Sequence, residues 1–147
     1  METIYETKTI KVGLRISENV EKVTVRDPES VVGYIKGIYA DLDADQEHFT
    51  ILCLNKANVV TGFKVVFSGG QDEAVVDPKI VFRNALLMGA TAIIVVHNHP
   101  SGRTEPSAED RAITKKLDEC GKMLGVRILD HIILGNGSFS FREGGLL

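Results

Sequence analysis

Residues 92–102 read Ala92-Ile93-Ile94-Val95-Val96-His97-Asn98-His99-Pro100-Ser101-Gly102, and the change from an apolar run to a polar, glycine-closed loop decides the fold. An uninterrupted run of this kind, rich in β-branched residues, is what a strand covered on both faces requires. It is read as the central strand of a sheet, with helices packed against that sheet.

Upstream of this strand, Asp77-Pro78 opens a helix that runs to about Met88 and is closed by Gly89. Before it, Phe49 to Leu54 is a strand, and Asn55-Lys56-Ala57-Asn58 turns into a second strand from about Val59 to Phe67. Ser68-Gly69-Gly70 breaks that hairpin. A further helix is signalled at Asp27-Pro28, a capping residue followed by a proline suited to the first helical position. Its apolar residues Val31, Ile35, Ile38 and Leu42 recur at helical spacing. The TIKVGLRI and EKVTV stretches within the first 25 residues favour β structure, as edge strands or a docked arm.

Downstream, Ser107-Ala108-Glu109-Asp110 has the Ser-x-x-acid form of a helix start, with Asp where a capping box prefers Glu or Gln. Ile113, Leu117, Cys120 and Leu124 are read as its buried face, and Gly125 as its end. Val126 to Leu134 and Ser138 to Phe141 form a hairpin across Gly135-Asn136-Gly137. The expectation is a single α/β domain, a mixed β-sheet flanked by helices, with 1–45 holding N-terminal strands and the first helix and 46–147 the main unit.

The chain has 147 residues, 44% hydrophobic and 25% charged, which excludes disordered, collagen-like and coiled-coil classes. Its net charge of −3 gives no support to a nucleic-acid partner. No apolar run approaches the ~20 residues that span a bilayer, and the N-terminus lacks the pattern of a secretory signal. Cys53 and Cys120 stand in apolar patterns far apart, as reduced thiols do, so a cytoplasmic location is expected.

His97 and His99 are two apart at the exit of the strand, where a period of two points side chains to one side. Asp110 follows eleven residues later in the first turn of a helix that a short loop can fold back over the strand end. Two imidazoles and a carboxylate suit Zn²⁺ with one tetrahedral position open, and an open position marks a catalytic site. Water bound there ionises near a pKa of about 7, which makes metal-assisted hydrolysis the implied chemistry. The same donors also suit manganese, iron or nickel. Each residue also has a plainer reading: a His-x-His pair can be hydrogen-bonded structure, Asp110 a helix-dipole acid, Ser107 an N-cap. Their joint placement after the most buried strand favours the metal.

His97-x-His99-Pro100, six residues, then Ser107-x-x-Asp110 resembles the core motif of the JAMM (MPN-type) metallopeptidases. HNHPSG, PSAEDRAIT and VRILDHIILG are closer still to the RadC branch of bacterial JAB-domain proteins, from about Glu47 to Phe141. The resemblance implies a JAB/MPN-like (cytidine deaminase-like) fold and a Zn²⁺ held by His97, His99 and Asp110. It also implies that Ser107 helps to hold a tetrahedral intermediate and that the substrate is a peptide or protein. The family's proton-accepting Glu lies on an earlier strand before a Phe-x-Gly element; matching Phe67-Ser68-Gly69 to it puts Lys64-Val65 at that place. No Glu occurs between Glu47 and Glu73, and Glu105 and Glu109 match no family role. A general base contributes about 10²–10⁴-fold, so the expectation is a weakened hydrolase, or alternatively an inactive metal-binding or scaffold domain associated with DNA repair.

Three other residues carry weaker signals. His131 can orient a metal ligand from behind or serve as a hydrogen-bonded structural histidine. His48 reads as structural or solvated, and Arg103 as a solvated loop charge in preference to a contact for a substrate carboxylate or phosphate. His97-Asn98-His99 does not make an HNH nuclease, whose residues are dispersed over a ββα unit. The His-x-Glu and paired cysteines of zinc deaminases are missing.

Overall fold

The computed structural model describes residues 2–4, 22–69 and 76–147. Among these residues the order is α1 (Pro28–Tyr39), β1 (Glu47–Leu54), β2 (Val60–Gly69), α2 (Pro78–Leu87), β3 (Ala92–Asn98), α3 (Ala108–Leu124), β4 (Arg127–Gly135) and β5 (Gly137–Ser140). The strands form one mixed sheet in the order β2-β1-β3-β4-β5, in which only the β3–β4 pair is parallel. A parallel neighbour needs a long crossover, and α3 supplies it. The strands read from TIKVGLRI, and Glu73, lie outside the described residues; of EKVTV, Thr24 forms an antiparallel bridge to Val59.

Strand alternation sorts the core into two faces. Phe49, Ile51, Cys53, Ile93 and Val95 pack with Val81, Phe82 and Ala85 of α2 and Leu117 of α3. Leu52, Leu54, Ile94, Val96 and Ile132 pack with Val31 and Ile35 of α1. The central strand is thus buried on both faces, as its sequence demands, and each fully buried aliphatic side chain contributes on the order of 1.5–3 kcal/mol. The same alternation sends His97 to the face that α3 covers.

Helix ends follow local chemistry. Asp27 and Asp77 cap α1 and α2, each followed by proline, and Gly89 takes a left-handed φ of 63° just after α2. Two expectations shift. Leu42 falls beyond α1, which stops at Tyr39. Leu124 is 49% exposed rather than buried; in the last turns of α3 the buried position is Gly121, where a Cβ would run into the Val126 carbonyl. Among the described residues no helix is long and apolar enough to cross a membrane.

Candidate metal centre

The centre forms where the end of β3, the start of β1 and the first turn of α3 meet. His97 ends the buried stretch of β3, and His99 lies one residue past the strand, where its N–H donates to the Leu134 carbonyl at 2.8 Å. The loop then bends at Gly102, φ 82°, whose N–H returns to the His99 carbonyl at 2.9 Å. The Gly102 carbonyl accepts from Asn136 N–H at 2.7 Å and lies so close to Gly135 that a Cβ there would strike it. The glycine-rich β4–β5 turn therefore serves as the seat for the histidine loop.

Asp110 enters from α3. Ser107 N–H donates to its Oδ2 at 2.9 Å and its own N–H donates to Ser107 Oγ at 3.0 Å, a reciprocal cap built with Asp in place of the usual Glu. The shorter acid is what lets one carboxylate both cap the helix and reach the histidines. Its Oδ1 lies 3.1 Å from His97 Nε2 and its Oδ2 3.1 Å from His99 Nε2, while the two Nε2 atoms are 2.9 Å apart. Burial alone raises an acid's pKa, yet the hydrogen bond and charge of His97 and the bonds from Ser107 hold the Asp110 carboxyl well below the ordinary carboxylate range.

Hydrogen-bond partners behind the rings fix which nitrogens face the centre. His99 Nδ1 lies 2.9 Å from the Arg103 carbonyl, which only accepts, so Nδ1 carries the hydrogen and Nε2 keeps a lone pair. Thr114 spends its single hydroxyl hydrogen on the Asp110 carbonyl at 2.6 Å, so toward His131 Nδ1 it is an acceptor. His131 is fully buried and held neutral, its pKa pushed well below the usual value by burial and then by His97. With its hydrogen on Nδ1, its Nε2 accepts from His97 Nδ1 at 2.6 Å. In the neutral ring, the form a metal ligand takes, the lone pair of His97 Nε2 is then also aimed inward. Two imidazole lone pairs and two carboxylate oxygens this close repel one another unless a proton or a metal cation joins them, and their number and type are those of a metal-binding set.

A fourth side chain joins this group. Glu47, the first residue of β1, brings Oε1 to 3.8 Å from His97 Nε2, and the four candidate donor atoms of Glu47, His97, His99 and Asp110 lie within 4.8 Å of one another. The sequence reading had no acid for this place. Lys64 and Val65 sit in mid-strand opposite Ile51 and Thr50, whereas the strand end that borders the centre pairs Gly69 with Glu47. The missed signal was directional: in an antiparallel β1–β3 pair, the first residue of one strand lies beside the last of the other.

The remaining candidates fall into place around this set. His131 is behind His97, Ser107 is bonded to Asp110, and Arg103 contributes its backbone carbonyl to His99. His48 is buried and structural: its Nε2 lies 2.6 Å from the Asp43 carbonyl, and its Nδ1 accepts from the Ser68 hydroxyl at 2.6 Å.

The sequence matches the family model described as RadC-like JAB domain over residues 25–146, a wider span than the motif-bearing region and one that includes α1. A UPF0758 protein of Rubrobacter xylanophilus is 38% identical over 134 residues, covering 91% of this chain and 58% of the relative. UPF0758 proteins of Staphylococcus epidermidis and Staphylococcus carnosus are 36% and 43% identical, over 93% and 84% of the chain. The chain spans 62% and 54% of those two relatives, so it corresponds to a little over half of the longer proteins it matches. With the family model matched from α1 to the C-terminal turn and the histidines and aspartate of its motif gathered at one centre, the chain belongs to the RadC-like JAB domain family.

Proposed function

We propose that this domain is a zinc-dependent hydrolase of peptide or isopeptide bonds, with His97, His99 and Asp110 as metal ligands and Glu47 as the proton acceptor. The observation that carries this reading is the position of Glu47: its carboxylate stands beside the ligand set at 3.8 Å from His97 Nε2, yet its side chain is 44% exposed. A carboxylate at the open rim can exchange protons with solvent and still reach a water at the centre, as a general base must. Two neutral imidazoles and one carboxylate are the donor number and type of a catalytic zinc site with one position free. The ion, when bound, supplies Lewis acidity toward a carbonyl oxygen and lowers the pKa of water.

The chain's own groups do the rest. Glu47 takes the proton of the attacking water and hands it to the departing amine, which keeps the two halves of the cleavage balanced. Ser107 is fastened to Asp110 at the helix start, where its Oγ accepts from Asp110 N–H and its hydroxyl hydrogen is not spent on that cap; its assigned role is to donate to the oxygen that gains negative charge. His131 and Thr114 keep His97 in the tautomer that presents Nε2. The separated thiols of Cys53 and Cys120 support a cytoplasmic setting for this chemistry.

The reading is tested with the zinc-loaded protein against a panel of unstructured peptides and lysine-linked isopeptides, with product detection by mass spectrometry. Cleavage that disappears in Glu47→Gln while zinc stays bound supports it. Stoichiometric zinc with no cleavage of any substrate would leave the inactive metal-binding domain as the better account.

A further inference from the structure

We propose that Asn98, the residue between the two ligand histidines, is the positioning residue for Glu47. The inference rests on the hydrolase reading for its functional meaning, and on two hydrogen bonds for its geometry. The β1–β3 ladder is regular from Leu54 opposite Ala92 to Phe49 opposite His97, and there it stops. The next step would pair His48 with Asn98 through their backbones. Instead the Asn98 side chain continues the ladder: its Oδ1 accepts from His48 N–H at 2.7 Å and its Nδ2 donates to the Gln46 carbonyl at 2.8 Å.

These two bonds have a particular meaning for residue 47. The Gln46 carbonyl belongs to the peptide before Glu47, and the His48 N–H to the peptide after it. One planar amide therefore fixes both peptide planes that flank the Glu47 Cα, and with them its φ and ψ. The residue is held on its other flank as well, since Glu47 pairs with Gly69 of β2. Only the side-chain torsions of Glu47 are left to carry its carboxylate to the centre. Asn98 itself is fixed at the end of β3 opposite Leu134, between two residues whose rings hold the metal, so the acid and its ligands share one frame.

The side-chain type follows from the task. The grip needs a donor and an acceptor at the spacing of a peptide group, which an amide offers. Aspartate is nearly isosteric but has no donor, and it would turn a carboxylate oxygen toward the Gln46 carbonyl oxygen. Alanine removes both bonds.

The test compares wild type, Asn98→Asp, Asn98→Ala, Glu47→Gln and the Asn98→Ala/Glu47→Gln double variant. Amide hydrogen exchange at His48 reads the strap without substrate, and exchange there should quicken by about fivefold or more in Asn98→Ala, one hydrogen bond being worth on the order of 1 kcal/mol, and by less in Asn98→Asp, which keeps the acceptor for His48 N–H and loses only the bond to the Gln46 carbonyl. Zinc affinity, by competition with a chromogenic chelator, should stay within about threefold of wild type, which a general loosening of the centre would not allow. In hydrolysis kcat should fall by about 10²-fold with KM little changed, the cost of a misplaced catalytic group, and the double variant should be no slower than Glu47→Gln alone. Unchanged exchange at His48 in Asn98→Ala, or losses that multiply in the double variant, overturn the proposal. A zinc-loaded wild type that cleaves nothing removes the hydrolase reading instead, and exchange at His48 with zinc affinity still decides whether Asn98 holds the β1 terminus.

Discussion

Glu47 lies diagonally across the antiparallel β1–β3 pair from His97, two residues beyond the Phe49 that stands opposite it, with Oε1 of the acid 3.8 Å from Nε2 of the imidazole, although fifty positions separate them in the chain. This contact joins a carboxylate open to solvent to a buried group of candidate ligands, and the proposed hydrolase reading rests on it.

Removing the charge of Glu47 while keeping its shape should separate chemistry from binding. In Glu47→Gln, zinc affinity should stay near wild type while hydrolysis drops by about 10²–10⁴-fold. Glu47→Asp, a methylene shorter, should retain part of the rate. Full activity in Glu47→Gln, measured on the metal-loaded protein, assigns the proton transfer elsewhere.

Thr114 and His131 should matter to the metal without touching it. Thr114→Val keeps the volume but strands His131 Nδ1–H, and the ring's alternative tautomer would point a hydrogen at His97 Nδ1. Zinc affinity should fall by about 10–100-fold in Thr114→Val and in His131→Phe, with circular dichroism confirming a folded chain. An affinity equal to wild type in both would mean that the tautomer of His97 is set by something else.

Alkaline stability should report the core rather than the centre. Burial pushes the Cys53 thiol up to about 12 and raises Tyr39 as well. The folded state therefore keeps a proton on Cys53 that the unfolded chain releases from a pH of about 8.5. Below that value the group contributes nothing pH-dependent; as pH rises from there toward 12 the unfolded state is favoured progressively. Denaturation midpoints should decline over this range, less steeply in Cys53→Val, and Cys53 should resist thiol reagents until the protein unfolds. Ready labelling of Cys53 in the native state at pH 8 contradicts its burial.

Much of this was legible in the chain. The run Ala92–Val96 announces a doubly covered strand, the Asp-Pro pairs announce α1 and α2, and His97, His99, Ser107 and Asp110 stand at the spacing of one motif. What escaped is what depends on strand partners. Glu47 reads as an ordinary polar strand start until β1 is known to lie antiparallel to β3. Matching Phe67-Ser68-Gly69 led to Lys64-Val65 on β2, the edge strand that does not touch the ligands' strand. Leu124 failed for a different reason: helical periodicity records which residues share a face, not where the facing sheet ends.

Metal content is the most direct measure of the central claim. Purified protein, supplied with zinc and freed of excess, should hold about one ion per chain by elemental analysis, and His99→Ala and Asp110→Asn should each lose it while remaining folded. Wild-type protein that retains no metal, or variants that retain as much as wild type, would show that these side chains meet for structural reasons alone.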